Sequence, residues 1–140
     1  MIENNKQKGR LGLALAIAYF TDAGYTVSLP INDTQWYDLI IEKDGKLLTV
    51  QCKCTSTANN EISLRSTGGT KGSIYDNVLN HFELDLLFCC STKGEIWVIP
   101  VSEIIDSGNR NSITLRNEPN KNNQGFQSYK FRVQFSFQAP

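Results

Sequence analysis

The sequence predicts an α/β fold, a mixed β-sheet flanked by helices, within one domain of 140 residues. Three observations lead there. A run from Lys6 to about Gly24 is apolar at helical spacing. Two pairs of strand-like runs, 36–43 with 46–56 and 84–90 with 95–100, each fold about a glycine-containing turn signal. No internal repeat and no linker divides the chain.

The first element is a helix ending near Gly24, with Leu11, Leu15, Ala18 and Tyr19 on one stripe and Leu13, Ile17 and Phe20 widening it. An apolar surface all round from Leu11 to Phe20 means that it is largely buried. "YTVSLP" alternates as a strand and stops at Pro30. The first hairpin turns on "KDG", and "EISLRS" continues as a further strand, with Ile62 and Leu64 on one side and Ser63 and Arg65 on the other. "STGGTKGS" is a glycine-rich loop, "IYDNVLNHF" a short helix, "VSEIIDS" a second short helix after Pro100 and "SITLR" a strand within a loop-rich stretch. The ending "YKFRVQFSF" alternates strictly, which predicts one strand with Tyr129, Phe131, Val133, Phe135 and Phe137 on a single face, a core or subunit surface.

Composition narrows the function. An apolar content of 40%, with seven Phe, five Tyr and two Trp, fits a globular chain and not a disordered one. Lys+Arg and Asp+Glu both total 14, so a uniformly basic nucleic-acid coat is disfavoured, although charge sorted into faces is not. "LGLALAIAYF" is short for a membrane span and lacks a cleavage-site pattern, so no membrane association is expected. Cys52/Cys54 and Cys89/Cys90 lack zinc spacing and read as small core residues, which makes a reduced, cytoplasmic compartment the default. His81 has no acid or serine in a triad pattern and reads as structural.

The chemistry concentrates in the first hairpin. Gln51 and Lys53 share one face of their strand, Val50, Cys52 and Cys54 the other. Asp38 and Gln51 are nearly equidistant from Gly45, so folding about the turn makes them neighbours. A carboxylate, an amide carbonyl and an ammonium then converge. That set suits a hard divalent cation beside a phosphodiester: oxygen ligands for Mg²⁺, and a lysine for the attacking water or the charge on phosphorus. An Asp38–Lys53 surface salt bridge with an uninvolved Gln51 is the plain alternative.

With its leading "KGRLGLALAIAYFTDAGYTVSLP" and its "YDLII…G…VQCK", the chain resembles the PD-(D/E)XK nuclease superfamily from about Lys8 to Thr57. Gln51 in place of the acid, in so short a chain, is most similar to the small bacterial group I intron-encoded homing endonucleases of this fold. The resemblance implies a restriction endonuclease-like core and double-strand DNA cleavage with Mg²⁺ or Mn²⁺. Asp38, Gln51 and Lys53 would be catalytic, Asp38 and the Gln51 carbonyl on the metal, and no other cofactor bound. It also implies a homo-oligomer, a dimer or tetramer, acting on a long duplex site. Two departures stand out: Leu13 occupies the place of a first-helix Glu found in many relatives, with Glu3 the only acid nearby, and Gln51 removes a negative charge. Both predict a raised metal requirement, and with it an alternative: an inactive DNA-binding or assembly protein on the same fold. A structure-specific resolvase or repair nuclease is a third reading. Candidate DNA contacts are Lys6, Lys8 and Arg10 at the first helix, Ser63 and Arg65 beyond Lys53, Lys71 in the glycine-rich loop, and Lys121, Lys130 and Arg132 on a second rim.

Overall fold

The structure, a computed structural model, describes residues 4–32, 34–67, 75–77, 80 and 83–136. Helix α1 spans Asn5–Asp22. Asn4 caps it, its side-chain oxygen accepting the Gln7 N–H at 2.9 Å. Gly24, at a φ of +92°, turns the chain into strand β1, Thr26–Ser28. Strands β2 (Leu39–Lys43) and β3 (Lys46–Thr55) pair antiparallel with Leu39 opposite Val50 and Lys43 opposite Lys46. Their two-residue turn, Asp44–Gly45, has φ of +54° and +80°, the double-positive geometry that Asp-Gly adopts readily.

The chain then leaves the sheet through β4 (Glu61–Ser63), β5 (Arg65–Thr67) and β6 (Tyr75–Asn77). It returns as β7 (Leu86–Ser91), parallel to β3, followed by antiparallel β8 (Ile96–Pro100). Helix α2 (Val101–Asp106), β9 (Ser112–Thr114) and β10 (Arg132–Val133) complete the fold. The main sheet has six strands in the order β1-β2-β3-β7-β8-β10, with two-stranded sheets β4-β9 and β5-β6 beside it. It is the mixed α/β arrangement that the sequence predicts.

The two faces of the sheet bury separate cores. On one, α1 sets Ala16 and Phe20 against Leu39, Ile41, Val50, Phe88, Cys90 and Ile96. On the other, Leu87, Cys89, Trp97 and Ile99 pack with Ile62 and Leu64 around β4, Ile113 and Leu115 around β9, and Val101 and Ile104 of α2. All four cysteines are free; Cys89 and Cys90 are buried, and Cys52 and Cys54 pack partly buried on the α1 side. Among the described residues no helix is long and apolar enough to cross a membrane.

Three expectations need correction. "EISLRS" is two strands: the chain changes partner at buried Leu64, whose N–H goes to the Asn111 carbonyl at 2.8 Å. In "IYDNVLNHF", Tyr75–Asn77 is extended because it pairs with Arg65–Thr67, a tertiary contact that outweighs local helical spacing. The C-terminal strand is only two residues long and follows a 3-10 turn at Ser128–Phe131. Ser128 anchors that turn, its hydroxyl donating to the Thr114 carbonyl at 2.7 Å and accepting the Arg116 N–H at 2.9 Å. The turn breaks the alternation, so Phe131 packs on the Trp97 side of the sheet while Val133 and Phe135 pack on the α1 side. Phe137 lies outside the described residues.

Candidate active site

Asp38 sits one residue before β2 and is bonded to β3 through both its backbone and its side chain. Its N–H donates to the Val50 carbonyl at 2.8 Å, and its Oδ2 accepts the Cys52 N–H at 2.7 Å. These two bonds fix the Asp38 carboxylate against the β3 backbone on either side of Gln51. Gln51 and Lys53 stand opposite Leu87 and Cys89 in the parallel pair, so both project from the face turned away from α1. Cys52 and Cys54 pack toward the helix instead, where a Cβ on Gly12 would lie 3.6 Å from the Cys54 Cβ. The helix thus backs the strand that carries the site, and Gln51 and Lys53 lie on the opposite face.

The electrostatics are those of a site short of positive charge. Asp38 reaches solvent, yet burial holds its carboxyl above the usual carboxylate range, against the opposing pull of the Cys52 N–H and of Lys53. Burial holds the Lys53 ammonium below its ordinary range, with Cys89 and Asp38 pulling it back up. Burial pushes the Cys89 thiol up to about 12, opposed by Lys53. Gln51 is only 8% exposed and its Oε1 has no hydrogen-bond partner. A buried amide oxygen without a partner costs about 1–3 kcal/mol. A cation between Asp38 and Gln51 would offset both penalties, so these residues fit a hard divalent metal. The donors are oxygens, and among the described residues no group of three or more His, Cys, Asp and Glu could hold a metal ion. That chemistry favours a hard ion keeping several waters over a zinc-type cage.

The other sequence candidates divide by location. Lys8 lies at the start of α1, its Nζ donating to the Ser56 hydroxyl at 3.3 Å, and Arg10 is exposed two residues on. Ser63 and Arg65 are both exposed, on consecutive strands, with the Ser63 hydroxyl accepting the Arg65 N–H at 3.2 Å. Lys6, Lys121 and Lys130 are exposed. Arg132 is taken up internally: its Nε donates to Asn117 Oδ1 at 2.9 Å and its guanidinium lies 5.2 Å over the Trp97 ring. Leu13 packs partly buried against the α1-side core. Glu3, Lys71 and His81 lie outside the described residues. One supporting residue escaped the sequence reading. Asp85 ties β3 to the start of β7, its Oδ2 accepting the Thr49 N–H at 2.9 Å, two positions before Gln51. An acid immediately ahead of the apolar run "LLFCC" was its only signal.

The family described as PD-(D/E)XK endonuclease matches residues 3–138. Among curated proteins, none matches. Of solved structures, the chain is similar to the bacterial homing endonuclease I-Ssp6803I, with a TM-score of 0.69 and 24% identity over 93% of this chain and 89% of that one. With the fold, the strand order and the hairpin in agreement, the chain belongs to the PD-(D/E)XK endonuclease family.

Proposed function

We propose that the protein is a magnesium-dependent, site-specific endonuclease of the homing type that cuts both strands of duplex DNA, with Asp38, Gln51 and Lys53 as its catalytic residues. The observation that carries this reading is the buried, partnerless Gln51 Oε1, on the same strand face as Lys53 and next in sequence to Cys52, whose N–H holds the Asp38 carboxylate. Asp38 and Gln51 would hold the metal; Mn²⁺ would serve in place of Mg²⁺. When bound, such an ion supplies Lewis acidity toward phosphate oxygens and an acidified water. Asp38 keeps its orientation through the Cys52 N–H on Oδ2, which would leave Oδ1 to serve as a metal ligand. Lys53 Nζ orients the attacking water and stabilises the charge that builds on phosphorus. Lys8, Arg10, Ser63, Arg65 and Lys71 would contact the duplex, the lysines and Arg10 through phosphates. We also propose that the enzyme works as a homo-oligomer, a dimer or tetramer. The exposed Leu29 (54%) and Ile31 (101%) beside edge strand β1 support a further apolar contact.

A plasmid library incubated in Mg²⁺ tests the reading. It predicts linear products cut at one sequence, lost in Asp38→Ala and in Lys53→Ala while duplex binding is retained. Cutting that persists in Asp38→Ala would contradict it. Binding by the wild type without cutting at any Mg²⁺ or Mn²⁺ concentration would favour an inactive DNA-binding protein, the reading that Leu13 and Gln51 support. Preference for a four-way junction over linear duplex would favour a resolvase.

A further inference from the structure

A second polar site lies at the foot of the β5-β6 ribbon. Among the described residues, a cleft of about 370 Å³ is lined by Asn77, Asn80, Asn109, Arg110 and Asn111, four amides and one guanidinium. Arg110 is half-buried and held in place: Nη2 donates to the Ser107 carbonyl at 2.8 Å, while its own carbonyl accepts the Asn77 amide at 2.6 Å. Its Nε is buried and has no hydrogen-bond partner. A charged donor in that state calls for an acceptor, and a fixed guanidinium edge among amides matches an anionic oxygen. The ribbon begins at the Arg65–Asn77 pair, directly after β4. Sheet β4-β9 packs on the face of the main sheet from which Gln51 and Lys53 project.

We infer that Arg110 and the asparagine cleft around it bind a backbone phosphate of the DNA whose scissile bond lies at Asp38, Gln51 and Lys53. The inference rests on the endonuclease reading, and it adds an anchor that positions the β5-β6 ribbon on the duplex without reading sequence. A phosphate is favoured over a base edge because Nη2 is already committed to the Ser107 carbonyl, which removes the paired donors that a base edge needs, and Nη1, which makes no hydrogen bond among the described residues, offers charge-assisted donation to one oxygen.

Fluorescence anisotropy on a labelled duplex, in EDTA and over a salt series, tests it with the full chain. Arg110→Gln should weaken binding by about tenfold and make the salt dependence shallower by about one counterion, equally on unrelated sequences. Arg110→Lys should keep most of the salt dependence. Asn109→Asp, at an exposed position, adds a negative charge to the cleft and should weaken binding in the same direction, which keeps the test open if Arg110→Gln fails to fold. Unchanged affinity and salt slope in both Arg110→Gln and Asn109→Asp, with wild type binding normally, would overturn this inference and leave the endonuclease reading intact. A change of preference at one base pair with the salt slope preserved would overturn it in favour of base reading. A wild type that binds no duplex would overturn the endonuclease reading itself.

Discussion

Gln51 holds a buried amide oxygen where a methionine would pack without penalty, and a partnerless oxygen costs about 1–3 kcal/mol. A residue that lowers stability in this way points to function. Gln51→Met should therefore leave metal-free stability equal to or about 1 kcal/mol above wild type in urea unfolding, while plasmid cutting disappears. Gln51→Glu should do the reverse: a second carboxylate facing Asp38 lowers metal-free stability and reduces the Mg²⁺ needed for half-maximal cutting by at least about tenfold. A Mg²⁺ titration of plasmid cutting that places the two proteins at the same midpoint would remove Gln51 from the ion. At this scale much was legible in the sequence. The two-residue side-chain period was enough to put Gln51 and Lys53 on one strand face, and the position of Gly45 to bring Asp38 against the same strand. The surroundings of Arg110 were not legible, because a cleft of amides and a buried Nε without a partner arise only from tertiary packing.

Among the elements, those with local causes were readable and those with distant causes were not. Helix α1, the Asp44–Gly45 hairpin and the β7-β8 hairpin follow from caps, turn residues and apolar periodicity within each segment. Strand β6 and the C-terminal turn are decided by partners far along the chain, Arg65–Thr67 for one and the Thr114 carbonyl and Arg116 N–H for the other. Two glycines test the local causes with opposite signs. Gly9 lies inside α1 with nothing within 4 Å of an added Cβ, so Gly9→Ala should raise stability by about 0.5–1 kcal/mol. Gly45, at a φ of +80° with equally open space, should lose about 1–2 kcal/mol as Ala from backbone conformation alone. Chemical denaturation of the two variants gives both values, and a shared sign would contradict the assignment of the turn.

Across the whole molecule, polar ties hold the late part of the chain to the sheet. Glu95 Oε1 accepts the Ser91 hydroxyl at 3.0 Å, its Oε2 accepts the Asn117 amide at 2.9 Å, and Asn117 in turn accepts from Arg132 of β10. The Asn117 bond, with Ser91, Arg132 and Lys93 adding to it, holds the Glu95 carboxyl below the usual range. A folded-state value below the unfolded one means that ionised Glu95 stabilises the fold above about pH 4.3, and that this contribution is lost as pH falls through the lowered folded value. Glu95→Gln should thus be less stable than wild type near neutrality, and the difference should shrink on acidification below about pH 4. Urea unfolding at a series of pH values checks this; a gap that widens in acid would contradict it. Zero net charge over the chain leaves DNA binding to sorted patches and not to bulk attraction. The assembly is expected to sediment at two or four times the mass of one chain, and a purely monomeric species at working concentrations would contradict the oligomer.

The central claim is that a divalent ion sits between two oxygens contributed by neighbouring strands. Anomalous diffraction from Mn²⁺-soaked crystals tests it most directly. The expected result is one strong peak between Asp38 and Gln51 Oε1, with Lys53 Nζ alongside and no peak in Asp38→Ala. A Mn²⁺ ion bound elsewhere, or a Gln51 carbonyl turned away from Asp38, would contradict it.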